Sequence, residues 1–105
     1  MEKVIFKEEL LLYFDELIYT LFVQEYFSYE ENAKRYVDKI VNFIISEINS
    51  FPHKPTPQKL HYLGSHYIFY KANNRTTWYI FFERQGSVFL ITGIINNHCE
   101  EANEL

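Results

Sequence analysis

Residues 66–98, HYIFYKANNRTTWYIFFERQGSVFLITGIINNH, constrain this chain more than any other stretch. Three runs dense in β-branched and aromatic residues, Tyr67 to Tyr70, Thr76 to Phe82 and Val88 to Ile95, read as consecutive antiparallel strands. Asn73-Asn74 and Gln85-Gly86 divide them, each supplying residues that tolerate the left-handed backbone of a tight reversal. With two-residue loops at both places, Phe69, Trp78 and Gly93 share a face with Tyr67, Ile80 and Ile91. Ile68, Tyr79, Phe81, Leu90 and Ile94 then occupy the other. Both faces are largely apolar, so one must pack on helices and the other must be covered or bind something.

The helices come from the N-terminal half. Lys3 to Phe6 reads as a short strand. From about Lys7 the spacing turns helical, with Leu10, Phe14, Leu17 and Leu21 on one face and Leu11, Ile18 and Phe22 widening it. Ser28-Tyr29-Glu30-Glu31 fits a capping box, which starts a second helix. Its core face is Ala33, Tyr36, Val37, Ile40, Phe43, Ile44 and Ile48, and its end is expected near Phe51. Lys34, Arg35, Asp38, Lys39 and Asn42 point outward. The short interval from Gln24 to Ser28 implies a helical hairpin. Pro52, Pro55 and Pro57 stop any helix and remove the donors a central strand needs, so they mark a connector, and Gly64 suggests a turn before the sheet. The fold class is therefore α+β. A short strand and a helical hairpin pack on a C-terminal antiparallel β-meander, and residues 1–105 form one domain whose tail, residues 99–105, is expected to fray.

Composition narrows the class further. The only cysteine is Cys99, which excludes an internal disulfide framework. No charged-then-apolar leader opens the chain, and charges interrupt every apolar run well short of the roughly eighteen residues that span a bilayer, so a cytoplasmic protein is expected. Net charge is −4, but unevenly spread. Residues 53–98 hold five bases against the single acid Glu83, a balance of +4, whereas the first 52 hold five bases against ten acids. A basic sheet half admits an anionic partner, and ordinary surface solvation explains it equally well.

Asn96-Asn97-His98 sets three polar side chains just beyond an apolar strand, where functional groups can converge; a hydrogen-bonded strand terminator is the plainer account. His53, His61 and His66 have no metal-ligand spacing, and no metal site is assigned. Cys99 beside His98 is an incidental thiol, because adjacent strand residues diverge. Trp78, Tyr79, Phe81 and Phe82 could stack on bases, although core packing is the simpler account and at least half of them must face the helices. Tyr79 and Phe81, on the face away from the helices, are the candidates for partner binding.

The helical hairpin, basic connector and meander together resemble the RelE/ParE family of toxins from bacterial type II toxin-antitoxin pairs. The likeness runs through nearly the whole chain. Gln58 to Tyr70, QKLHYLGSHYIFY, is similar to the family's entry into its first long meander strand, and Thr77 to His98 to the hairpin that follows. The resemblance implies a toxin neutralised by a cognate antitoxin. Its RelE-like members are ribosome-dependent mRNA endonucleases that need no cofactor, and its ParE-like members are non-enzymatic inhibitors of DNA gyrase. A toxin-like binding module without activity is a further alternative, and an uncovered apolar face also allows a homodimer.

For a nuclease, the family's histidine or tyrosine near the end of the last strand maps onto His98, as acid or base. Arg84 and Arg75 would stabilise the phosphorane charge, while Lys54, Lys59 and Lys71 would hold RNA phosphates. One position departs from the pattern. Where the family often opens its strand with an aromatic-arginine-aliphatic triplet, this chain has Tyr67 in the arginine position, and tyrosine cannot clamp a phosphate as a guanidinium does.

Overall fold

The computed structural model describes residues 3–23 and 29–105. In chain order its elements are β1 (Lys3–Phe6), α1 (Glu8–Val23), α2 (Glu30–Glu47), β2 (Lys54–Pro55), β3 (His66–Lys71), β4 (Thr77–Gln85) and β5 (Val88–Asn96). Short 3-10 turns span Gln58–Leu60 and Glu100–Glu104. The fold is α+β. Its five strands run in the order β1-β5-β4-β3-β2, antiparallel except where β1 lies parallel to β5, so the three-stranded meander is extended at both edges. Among the described residues, no helix is long and apolar enough to cross a membrane.

The two helices cover one face of the sheet. Leu10 and Phe14 of α1 and Val37, Ile40 and Ile44 of α2, followed by Ile48, meet Ile68, Trp78, Ile80, Phe82, Phe89, Ile91 and Ile94 in the main core. The apolar stripe of α1 is narrower than its spacing suggests. Ile18 is half-buried, but Leu11 and Phe22 remain exposed. α2 begins after Tyr29, which occupies the N-cap position without a side-chain cap. The capping residue expected there, Ser28, lies outside the described residues, as does the whole interval Gln24 to Ser28.

Two register changes redistribute the sheet faces. The first loop holds three residues, Asn73 to Arg75, closed by the Ala72 N–H on the Thr76 carbonyl at 2.9 Å, because the Asn73 side chain accepts from the amides of Arg75 and Thr76. Ile68 therefore pairs with Ile80 and turns toward the helices, while Tyr67 and Phe69 turn away. The second loop is Gly86-Ser87, with Gly86 at φ +60°, and keeps Leu90 and Ile91 on the faces the sequence suggests. A bulge opposite Phe81 and Phe82 then inserts Thr92, which exchanges the faces of Gly93 and Ile94.

A second cluster fills the far face. Leu60, Tyr67, Phe81 and Ile95 are buried there beneath Leu63, Tyr79, Cys99, Ala102 and Leu105. The tail from Cys99, expected to fray, instead forms the second 3-10 turn and lays Ala102 and Leu105 on this cluster. At the bulge, Thr92 Oγ1 donates to the Leu63 carbonyl at 2.5 Å. A Cβ on Gly93 would come within 2.9 Å of that carbonyl, so the segment after Leu60 lies directly on the sheet backbone.

Candidate functional site

The polar residues converge at the sheet end formed by the first loop and the exit of β5. Asn97 stitches the two together: its Oδ1 accepts from the Thr77 amide at 2.9 Å and its Nδ2 donates to the Arg75 carbonyl at 3.0 Å. Asn96 Oδ1 accepts from the His98 amide at 2.8 Å, which turns the chain at the strand's end. His98 is thereby held over the loop, with Nε2 3.2 Å from Thr76 Oγ1, a hydrogen-bond distance.

A groove of about 420 Å³ opens between this sheet end and α1. His98, Asn73, Thr76 and Asn96 form its polar side and Leu17 and Leu21 its apolar side. Tyr36 and Trp78 line it too, tied by the Trp78 Nε1–H donating to the Tyr36 hydroxyl at 2.9 Å. Arg75 borders the adjoining concavity, with His98 and Asn74. Nearby on α1, Tyr13 has its pKa raised above the ordinary 10.0, chiefly by burial and further by the proximity of Cys99 and Tyr36. An exposed imidazole, a hydroxyl fixing its ring and a neighbouring guanidinium can move a proton beside a bound anion.

Of the residues singled out from sequence, the structure brings His98 and Arg75 together and separates Arg84 from both. Arg84 lies seven residues along β4 from Thr77, about 24 Å at ~3.4 Å per residue. Its Nε donates to the Gly86 carbonyl at 3.0 Å and its guanidinium rests 4.8 Å from the Phe89 ring centre, so it braces the opposite turn. Lys59 is ion-paired with Glu104 at 3.6 Å, which ties the two 3-10 turns to each other.

Lys54 and Lys71 flank a shallow depression of about 240 Å³ on the far face, with Tyr67, Phe69 and Tyr79 between them. Lys54 lies 5.2 Å over the Phe69 ring. Tyr79 is partly accessible there. Phe81 is not: at 0% exposure it belongs to the second core, and its assignment to partner binding is corrected, because the tail and the turn after Pro57 cover that face. Tyr67, in the position where an arginine was looked for, is 8% exposed and faces the same cluster.

The remaining histidines have structural partners. His53 Nε2 donates to the Ile48 carbonyl at 2.6 Å at the end of α2, and its ring packs edge-on against Phe82. His61 Nε2 donates to the Thr56 carbonyl at 2.8 Å. Among the described residues, no group of His, Cys, Asp and Glu is arranged to hold a metal ion. Sequence reasoning missed Tyr36, Thr76 and Leu17 as groove residues, since α2, the first loop and α1 contribute them and only the packed fold joins the three segments. Compared with family models, curated proteins and solved structures, the chain matches none.

Proposed function

We propose that this chain is the toxin of a bacterial toxin-antitoxin pair, a cytoplasmic protein that cleaves ribosome-bound messenger RNA at the His98 end of its sheet. The observation that carries the reading is the convergence of His98, Thr76 and Arg75 beside an open groove lined by two asparagines. In this reading a ribose 2′-hydroxyl attacks the adjacent phosphorus and the 5′-oxygen leaves, giving a cyclic phosphate. His98 exchanges the proton, Thr76 orients its ring, and Arg75 neutralises the phosphate oxygens. Lys71, at the same end of the sheet on the far face, extends the cationic surface toward the flanking nucleotides.

A second reading is favoured by specific observations. Arg84 stands at the other end of β4, and Tyr67 is buried where a phosphate-clamping arginine was looked for. A binding inhibitor of DNA gyrase needs neither group. Pulse labelling of protein and DNA synthesis after inducing the chain alone, beside His98→Ala, separates the readings. Early loss of protein synthesis that His98→Ala relieves supports the nuclease. Early loss of DNA synthesis indifferent to His98 supports the inhibitor, and no change in either label with folded protein present rejects both.

A further inference from the structure

The outer side of α1 carries an apolar stripe that lies outside both core clusters of the described residues. Leu12, Tyr19 and Val23 are 57%, 68% and 52% exposed, although each is large and apolar. At about 100° per residue they fall within about 40° of one another around the helix, on the side opposite Leu10 and Phe14. The stripe spans about 17 Å at ~1.5 Å per residue, the length of three helical turns. Leu11 and Phe22, 52% and 38% exposed, lie further round the helix, beyond Glu8 and Asp15.

Its charge frame is of one sign. Glu8 and Asp15 border the stripe on one flank and Glu9 and Glu16 on the other, all exposed, and α1 contains no lysine or arginine. The nearest base in the chain before it, Lys7, is already paired with Glu9 at 3.4 Å. Two copies of this chain joined through the stripe would bring carboxylates against carboxylates with no cation in α1 between them. Anionic lipid surfaces and nucleic-acid phosphates meet the same repulsion.

We infer that the outer face of α1 docks an amphipathic basic helix of another protein, whose apolar side covers Leu12, Tyr19 and Val23 and whose lysines or arginines meet the flanking carboxylates. The mode is a helix laid along a helix, anchored at three- and four-residue spacing, with opposite charges fixing the register. This goes beyond the RNA reading and does not depend on it, since the groove at His98 is reached from the inner side of the same helix by Leu17 and Leu21.

The test uses the full chain and two synthetic helical peptides, one with leucines at heptad spacing flanked by lysine and arginine, the other identical but with glutamate in place of every base. Fluorescence anisotropy should show the basic peptide binding at least about tenfold tighter than its acidic twin. Tyr19→Lys should weaken that binding about tenfold, and Asp15→Lys with Glu16→Lys should invert the preference. Both variants alter exposed positions, and circular dichroism checks that they fold. Sedimentation of the chain alone and flotation with anionic vesicles complete the set. The inference is overturned if the two peptides bind equally or not at all, if Tyr19→Lys leaves binding unchanged, or if the stripe instead supports self-association or vesicle binding. Loss of toxicity in His98→Ala has no bearing on any of these readouts.

Discussion

The two faces of the sheet are both apolar but are sealed by different means. On one, helices of 16 and 18 residues hold the main core, and most of their contact comes from side chains repeated at helical spacing. On the other, two 3-10 turns and the final residues cover a small cluster around Phe81. The first cover is continuous and stiff. The second consists of short segments with few internal hydrogen bonds, held by Thr92 on Leu63, Lys59 on Glu104 and the apolar contacts of Leu60, Ala102 and Leu105. The difference teaches that burial of a residue and rigidity of its surroundings are separate quantities, which mutation can tell apart.

Adjacent residues offer the largest contrast. Phe82 is 1% exposed on the helix face and Phe81 0% exposed on the far face. Phe82→Ala should cost about 3–5 kcal/mol, because two packed helices cannot collapse into the hole. Phe81→Ala should cost less, about 2 kcal/mol, since the tail can settle inward. Urea unfolding midpoints measure both. Equal losses would mean the tail is as unyielding as the helices.

Next in size is Gly93→Ala. The added Cβ would meet the Leu63 carbonyl at 2.9 Å and the Leu63 Cβ at 3.1 Å, so the turn must lift from the sheet. A loss of about 1–3 kcal/mol is expected, with faster amide exchange at Leu60 and Leu63, whose bonds close that turn, while α2 amides remain protected at the level of global unfolding. Exchange that rises equally in α2 would show the two faces to be one cooperative unit.

Much of the helix-covered side was legible in the sequence. Ala33, Val37, Ile40, Ile44 and Ile48 lie inward as their spacing says, because one period of 3.6 residues settles the orientation of every residue in α2. The sheet faces were less legible. Face assignment along β3 depends on whether the loop closes over two residues or three, a choice made by the Asn73 side chain bonding the backbone, and one residue of slip inverts the whole strand. The bulge at Thr92 left no mark beyond an unremarkable Thr-Gly pair. His98 and Arg75 could be brought together from the loop position alone, since either register joins that loop to the end of β5. Arg84 could have been separated from them by counting residues along β4. The groove partners from α1 and α2 were out of reach, because no local pattern reports how a helix sits across a strand end.

A smaller effect compares two tyrosines. Tyr13 packs with the helix-side core and Tyr67 lies in the far cluster, and burial is the leading cause of a raised pKa in both. A phenol with a folded-state pKa above its unfolded 10.0 favours the protonated native state. The stability from each is complete below pH 10.0 and is lost as pH climbs from there through the folded value. Tyr13→Phe and Tyr67→Phe should each flatten the alkaline fall in stability, read by unfolding at a series of pH values alongside tyrosinate absorbance. Cys99 and Tyr36 act in the same direction as burial at Tyr13, and Tyr79 does so at Tyr67. A steeper fall in either variant would reverse the assigned sign.

The smallest effect concerns the seam of the second cover. Thr56 is 4% exposed between β2 and the first 3-10 turn; its amide donates to the Ser65 carbonyl at 3.0 Å and its carbonyl accepts from His61. Its Oγ1 is buried without a hydrogen-bond partner among the described residues. Burying an unpaired hydroxyl costs about 1–3 kcal/mol, so removing it while preserving shape should recover part of that cost. Thr56→Val keeps the branched volume and both backbone bonds, and should leave stability unchanged or raise it by up to about 1 kcal/mol. Thr56→Ala loses the methyl group as well and should be destabilising by about 1 kcal/mol. Thermal unfolding of the pair separates the two terms. A loss in the valine variant matching that in alanine would place a water or an unrecognised acceptor at Oγ1, and the far cover would then be as well satisfied in its polar groups as the helical one.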